Sequence, residues 1–282
     1  MSEKKSQNQV CVVIGASHAG VNFAFALRRE GWEGAIMLFD ADPMLPYHRP
    51  PLSKTFLTSE DNIEKYLLKS ADSYQQEKIE LFLGVRVISI DARHKTIKRE
   101  DDRIQAYDKL VLATGARALV PPIPGIDRSN RWYTIRTAQD VTGIRQAIRA
   151  SESKRVVVIG GGYIGLEMAA SLQKIGTQVV LLERENRVLA RVTAPEMSQF
   201  YEQLHAEYGV EIYTGKQVNA IETQEDVDLV RCADGSRFIA DLIVVGVGIR
   251  VNTALAEQAG LEVQNGILVD SQARTSDDTI YA

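Results

Sequence analysis

Apolar residues in this chain come in short closed runs. Val10–Ile14 is one such run, shut by Gly15; unbroken rather than alternating, it predicts a parallel strand buried on both faces. From Ala19 to Arg29 the period changes. Val21, Phe23, Ala24 and Leu27 recur at helical spacing and Gly31 stops the run, which predicts a helix. Ala35–Phe39 is a second apolar run. Strand, glycine turn, helix and strand make one βαβ unit. The same succession returns later. Arg155–Ile159 meets Gly160, a helical pattern runs from about Tyr163 to Lys174, and Gln178–Leu182 follows. Gly15 and Gly160 lie 145 residues apart, so the repetition is of two whole βαβ units and not of a solenoid period.

The segments between add punctuation. Pro43–Pro51 holds four of the eight prolines and predicts an irregular loop. Leu110–Ala113 predicts a short buried strand ending at Thr114-Gly115, and Asp241–Val245 another ending at Gly246. Pro121, Pro122 and Pro124 mark a crossover between domains. A length of 282 residues suits about two domains. The expected architecture is α/β and doubly wound. One domain comprises residues 1–117 and 242–282, interrupted by a second at 118–241.

The second unit carries Gly160-Gly161-Gly162-Tyr163-Ile164-Gly165. In this pattern Gly160 makes the tight turn, Gly162 lets backbone approach a pyrophosphate, and Gly165 lets helix and strand pack closely. The helix N-terminus offers free N–H groups and partial positive charge. Glu183 ends the next strand, 18 residues beyond Gly165, where an acid grips an adenosine ribose. Arg184 and Arg187 follow closely enough to bear on a 2′-phosphate. The first unit reads Gly15-Ala16-Ser17-His18-Ala19-Gly20. Ser17 stands in for the middle glycine, and its Cβ crowds the approach while its hydroxyl could donate to a phosphate. Read alone, this string also fits a plain glycine turn; the second cradle strengthens it. Asp40 and Asp42 are the acids in range. His18 reads as an exposed helix-start residue rather than as a ligand or base.

Bulk properties narrow the field. Hydrophobic residues make up 45% and charged residues 25%, the balance of a globular protein. A net charge of -4 speaks against nucleic-acid binding. The polar start MSEKKSQNQV carries no apolar signal core, and no apolar run reaches the roughly 18 residues of a membrane span. Cys11 and Cys232 are the two cysteines, too far apart for a metal or disulfide motif, which fits a reducing cytoplasm and no metal site.

The string Tyr47-His48-Arg49-Pro50-Pro51-Leu52-Ser53-Lys54, with the two cradles, Leu112-Ala113-Thr114-Gly115-Ala116 and Gly246-Val247-Gly248, resembles the bacterial ferredoxin reductases that feed oxygenases. Putidaredoxin-reductase and rubredoxin-reductase types belong with them. The likeness runs from Val10 to Ala282. It implies FAD in the first cradle and NADH, in preference to NADPH, in the second. It further implies that Asp42, rather than Asp40, meets the FAD ribose, that Arg49 and Lys54 lie against the flavin, and that Thr114-Gly115 contacts FAD. Glu167 is implied to pair with Lys54, bridging the two cofactor domains, and Tyr163 to cover an empty nicotinamide site. Without the resemblance, Lys54 reads as a loop lysine, Glu167 as an exposed helix glutamate and Tyr163 as a packing residue.

Three departures stand out: Ser17, Val251 where many relatives have proline, and the end at Thr279-Ile280-Tyr281-Ala282, where a flavin-contacting Gly-Asp and a C-terminal interface domain are expected. The expectation is a chain that holds FAD less well than NADH and leaves apolar surface exposed around Asp241–Val245. The implied chemistry is hydride transfer from NADH to flavin, then single electrons to a small iron–sulfur carrier. Two alternatives stay open: a redox-sensing flavoprotein similar to apoptosis-inducing factor, and a cysteine-dependent disulfide reductase or NADH oxidase, for which neither cysteine is well placed.

Overall fold

The computed structural model describes residues 8–282. The first of two compact units comprises the chain up to His48, Ile63–Arg117 and Val251–Ala282; the second comprises Arg49–Asn62 and Ala118–Arg250.

The first unit is built on β1 (Val10–Ile14), α1 (His18–Arg29), β2 (Ala35–Asp40), β3 (Ile79–Leu83) and β4 (Lys109–Leu112). Its sheet has the order β3-β2-β1-β4, with Ile280–Tyr281 added beside β4, and every pairing is parallel. Side chains of β1 alternate between two cores. Cys11 and Val13 pack with Val21 and Ala24 of α1. Val12 and Ile14 pack with Val87, Ile90 and Ile97 from a three-stranded antiparallel sheet on the other face. Cover on both faces is why β1 is apolar at every position.

The second unit repeats the plan. Its elements are β5 (Trp132–Tyr133), α2 (Ala138–Ala150), β6 (Arg155–Ile159), α3 (Tyr163–Lys174), β7 (Gln178–Leu182), β8 (Glu211–Tyr213) and β9 (Leu242–Val245). The parallel order is β8-β7-β6-β9-β5. A second three-stranded antiparallel sheet sends Ile221, Val230 and Cys232 against Val157 and Ile159. The chain leaves β1 in the first unit, and β6 in the second, to one side and returns on the other. That reversal makes a crevice at the carboxyl ends of the strands.

Two expectations need correction. The predicted domain boundary at 241/242 falls too early. Leu242–Val245 pairs with Val156–Ile159 residue for residue, so the second unit extends to Arg250. That strand is not left uncovered either, for all four residues are buried. Second, Arg49–Asn62 leaves the first unit and packs with the second. Phe56 of this excursion is buried, and the Arg145 guanidinium of α2 lies 4.2 Å from its ring centre.

Asp241 fastens β9 to β6. Its carboxylate accepts hydrogen bonds from the Arg155 backbone N–H at 2.7 Å, Arg155 Nη2 at 2.7 Å, Ser153 Oγ at 2.8 Å and Ser151 Oγ at 3.0 Å. Burial opposes the charge, but these donors prevail and bring its carboxyl down to about 2. A folded-state value below the unfolded one stabilises the fold fully above about pH 4, and that stabilisation is lost as pH falls towards 2. Asp241→Asn should therefore cost roughly 2 kcal/mol at pH 7. The difference from wild type should shrink between pH 4 and 2 in urea titrations; a pH-independent difference would remove Asp241 from this role.

Candidate functional site

Both cradles are shaped by the absence of side chains. At Gly15 φ is +107° and at Gly160 +110°, a region open to glycine. A Cβ on Gly20 would sit 1.9 Å from the Gly15 carbonyl oxygen, and one on Gly165 1.8 Å from that of Gly160. Gly162 differs, since a Cβ there meets nothing within 4 Å. Its outer side is the open space a pyrophosphate would use.

The helix starts differ in how they are capped. Ser17 before α1 and Gly162 before α3 make no side-chain capping bond, and neither helix has an acid in its first turn. In α2, by contrast, Thr137 and Asp140 form a complete capping box. The first-turn N–H groups of α1 and α3 thus carry no cap from the N-cap side chain, the condition that suits phosphate.

An acid closes each cradle. Glu183, just past β7, accepts the Gly161 N–H at 2.5 Å and the Glu185 N–H at 2.7 Å. Asp40, at the end of β2, accepts the Ala16 N–H at 2.5 Å and the Asp42 N–H at 2.8 Å. Asp40 is therefore the internal counterpart of Glu183, while the family resemblance gives the FAD ribose to Asp42. The Asp42 carboxylate instead accepts the Met44 N–H at 3.1 Å and the Tyr47 hydroxyl at 2.9 Å.

In the second unit a cleft of about 700 Å³ runs past Gly160, Gly162, Tyr163, Ile164, Glu183 and Arg184, a size that suits a cofactor. Tyr163 and Ile164 are 57% and 43% exposed, so Tyr163 is not buried packing. Gly246 and Gly248 also line this cleft, in the second unit and not in the first as the predicted boundary would have it. Arg187 is turned away to Ser198 Oγ and the carbonyls of Ala190 and Thr193. Arg191, which the sequence reading passed over, lines the cleft beside Arg184.

In the first unit Thr114 and Gly115 are stapled by Asn252, another residue not foreseen. Thr114 Oγ1 donates to the Asn252 carbonyl at 2.8 Å, Asn252 Nδ2 donates to the Thr114 carbonyl at 2.8 Å, and the Asn252 N–H reaches the Gly115 carbonyl at 2.9 Å. Ala19 is exposed on α1. His18 is half-buried, with Nε2 3.2 Å from Nδ1 of His48, and so is not simply a solvated helix-start residue.

Lys54 and Glu167 do meet: Nζ lies 2.6 Å from Oε2. Both residues belong to the second unit, so the pair ties a loop to α3 within one unit. Arg49 Nη1 donates to the Arg136 carbonyl at 2.5 Å in the same unit. Arg49, Lys54, Arg136, Ile164 and Glu167 line a cavity of about 330 Å³.

The sequence profile of the pyridine nucleotide-disulphide oxidoreductases matches residues 9–282. The chain belongs to that family. It is 43% identical over 280 residues to putidaredoxin reductase of Pseudomonas putida, covering 98% of this chain and 66% of that one. It is 40% identical over 273 residues to a rubredoxin-NAD(+) reductase of Pseudomonas putida, covering 96% and 70%. Among solved structures, the covalent putidaredoxin reductase–putidaredoxin complex matches with a TM-score of 0.93 at 42% identity, over 98% of this chain and 67% of that one. A ferredoxin reductase from Rhodopseudomonas palustris matches with a TM-score of 0.92 at 36% identity, over 97% and 67%. The chain thus spans about two thirds of the length of these relatives.

The family carries disulphide in its description, yet both cysteines here are free and buried. Burial pushes the Cys11 thiol up to about 12, against a smaller downward pull from Lys109. Burial also raises that of Cys232. Such thiols are poor nucleophiles. Iodoacetamide at pH 8 should leave both unmodified in the folded protein and label both in urea, as read by intact mass. Rapid labelling of either in the native state would mark it as reactive.

Among the described residues no three His, Cys, Asp or Glu side chains cluster as metal ligands. No helix among them is long and apolar enough to cross a membrane.

Proposed function

We propose that the protein is an FAD-dependent reductase that takes electrons from NADH and delivers them to a small iron–sulfur carrier in the cytoplasm. The observation that carries this is the pair of uncapped cradles, each closed by an acid accepting the second cradle N–H at the same distance. Two such sites ask for two dinucleotides. Putidaredoxin reductase and rubredoxin-NAD(+) reductase among the relatives favour a flavin and a nicotinamide as the two, and an iron–sulfur protein as acceptor.

In this reading FAD takes the first cradle: Gly15, Ser17, His18, Ala19 and Gly20 at the phosphates, Asp40 and Asp42 as candidate ribose acids, and Thr114 and Gly115 beside them. The nicotinamide cofactor takes the second, at Gly160, Gly162, Tyr163, Ile164 and Gly165, with Glu183 on its ribose and Arg184, Gly246 and Gly248 on the cleft wall. Bound FAD supplies the change from two-electron to one-electron transfer that such a pair of partners needs.

The chain's own contribution is position and charge. Lys54, steadied by Glu167, holds an ammonium for the flavin and favours negative charge developing there. Lys54 and Glu167 side chains are 49% and 33% exposed, so their attraction adds little to stability. A mechanistic role accounts for the pair better than a structural one. Lys54→Met should slow reduction of the FAD-loaded protein by NADH roughly 10- to 100-fold, a loss of ~1.4–2.7 kcal/mol in the transition state. Stopped-flow reduction at the wild-type rate would remove Lys54 from the mechanism.

Glu183 underlies the preference for NADH. Its carboxylate accepts from a free ribose diol and repels a 2′-phosphate, while Arg184 and Arg191 temper that repulsion. kcat/KM should be higher with NADH than with NADPH, and Glu183→Gln should narrow the gap. A larger kcat/KM for NADPH in the wild type would overturn the assignment. A cysteine-dependent mechanism finds no support, because neither buried thiol lines the cleft or the Lys54 cavity.

A further inference from the structure

The Lys54–Glu167 pair does not stand alone. Glu167 Oε2 accepts two hydrogen bonds, one from Lys54 Nζ at 2.6 Å and one from Ser53 Oγ at 2.6 Å. Ser53 is 4% exposed, whereas Lys54 beside it is half in solvent. One turn along α3 from Glu167, Ser171 Oγ donates to the Ser53 carbonyl at 2.7 Å. Residues four apart share a helix face, so α3 grips a single loop residue at two points, its hydroxyl and its carbonyl.

We propose that Ser53 is a positioning residue for Lys54, and that Ser171 is the anchor that holds Ser53 in place. This rests on the reading of Lys54 as the charge beside the flavin. A glutamate has three side-chain torsions, and an exposed lysine partner restrains them weakly. The Ser53 hydroxyl is a buried donor on a backbone that is itself pinned. It fixes which carboxylate oxygen faces Lys54 and where that oxygen lies. The ammonium is then located by Glu167 and not by its own flexible chain. A charge held in place before reaction costs no reorganisation during it.

The test reads Lys54 directly. The full-length protein is treated with trace acetic anhydride at a series of pH values, and Lys54 acetylation is quantified by mass spectrometry against other lysines. An ammonium held by Glu167 reacts slowly. Ser53→Ala should raise Lys54 labelling by roughly 2- to 10-fold, the worth of one hydrogen bond, with Glu167→Gln as the upper reference. Ser53→Thr should restore the wild-type value, since it keeps the hydroxyl. Ser171→Ala should raise labelling in the same direction by a smaller factor, and it tests the anchor even if Ser53→Ala fails to fold. Unchanged Lys54 labelling in a folded Ser53→Ala or Ser171→Ala protein, with labelling raised in Glu167→Gln, would overturn the proposal. The functional reading fails separately, through wild-type flavin reduction in Lys54→Met.

Discussion

In both units the contact on which the site depends is between a helix and the turn that launched it. The carbonyl of Gly15 lies where Gly20 would carry a Cβ, and that of Gly160 lies where Gly165 would. Neither contact survives a side chain. Because backbone touches backbone there, the helix begins directly over the carboxyl edge of the sheet, at the point where strand order reverses. Its first N–H groups then face the crevice with no side chain to cap them. The strand acid completes the geometry by holding the second residue of the turn. Cradle, open pole and acid are consequences of one close approach, made twice.

Polar interactions elsewhere divide by purpose. Asp241 is sunk among five donor atoms and stabilises a strand pairing. Glu167 is closer to solvent, and its two donors come from adjacent residues of one loop. The first network contributes to folding free energy, and the second contributes mainly to where a charge sits. The helices divide in the same way: α2 carries its own capping box, and the two cradle helices carry no side-chain cap.

Much of this was legible locally. Val10–Ile14, Arg155–Ile159 and Gln178–Leu182 are strands with the bounds that the apolar runs predicted, because a strand covered on both faces declares itself without reference to its neighbours. The helix Tyr163–Lys174 and the corner glycines were equally plain. Legibility failed where a segment's partner mattered. The run ending at Val245 looks the same whichever sheet it joins, so the boundary was set too early. The proline-rich string drew notice for Arg49 and Lys54, yet its packing on the second unit depends on Arg145 and Ser171, far along the chain. That Asp40 reaches the cradle turn follows from the register of β2 on β1, which spacing alone does not reveal. Ser53 gave no signal beyond membership of a motif.

The excursion Arg49–Asn62 sets an order of events during synthesis. Ser53 leaves the ribosome 114 residues ahead of Glu167, a wait of roughly 6–23 s at about 5–20 residues per second. For that interval the loop lacks the α3 side of the surface it docks on. The first unit waits longer still, since its sheet is completed only by Ile280–Tyr281 beside Lys109–Leu112. The second unit, whose five-stranded sheet is complete at Val245, can close first and capture a segment already made. Lys54 is therefore placed late, by contacts distant in sequence, the kind of contact that is slow to form.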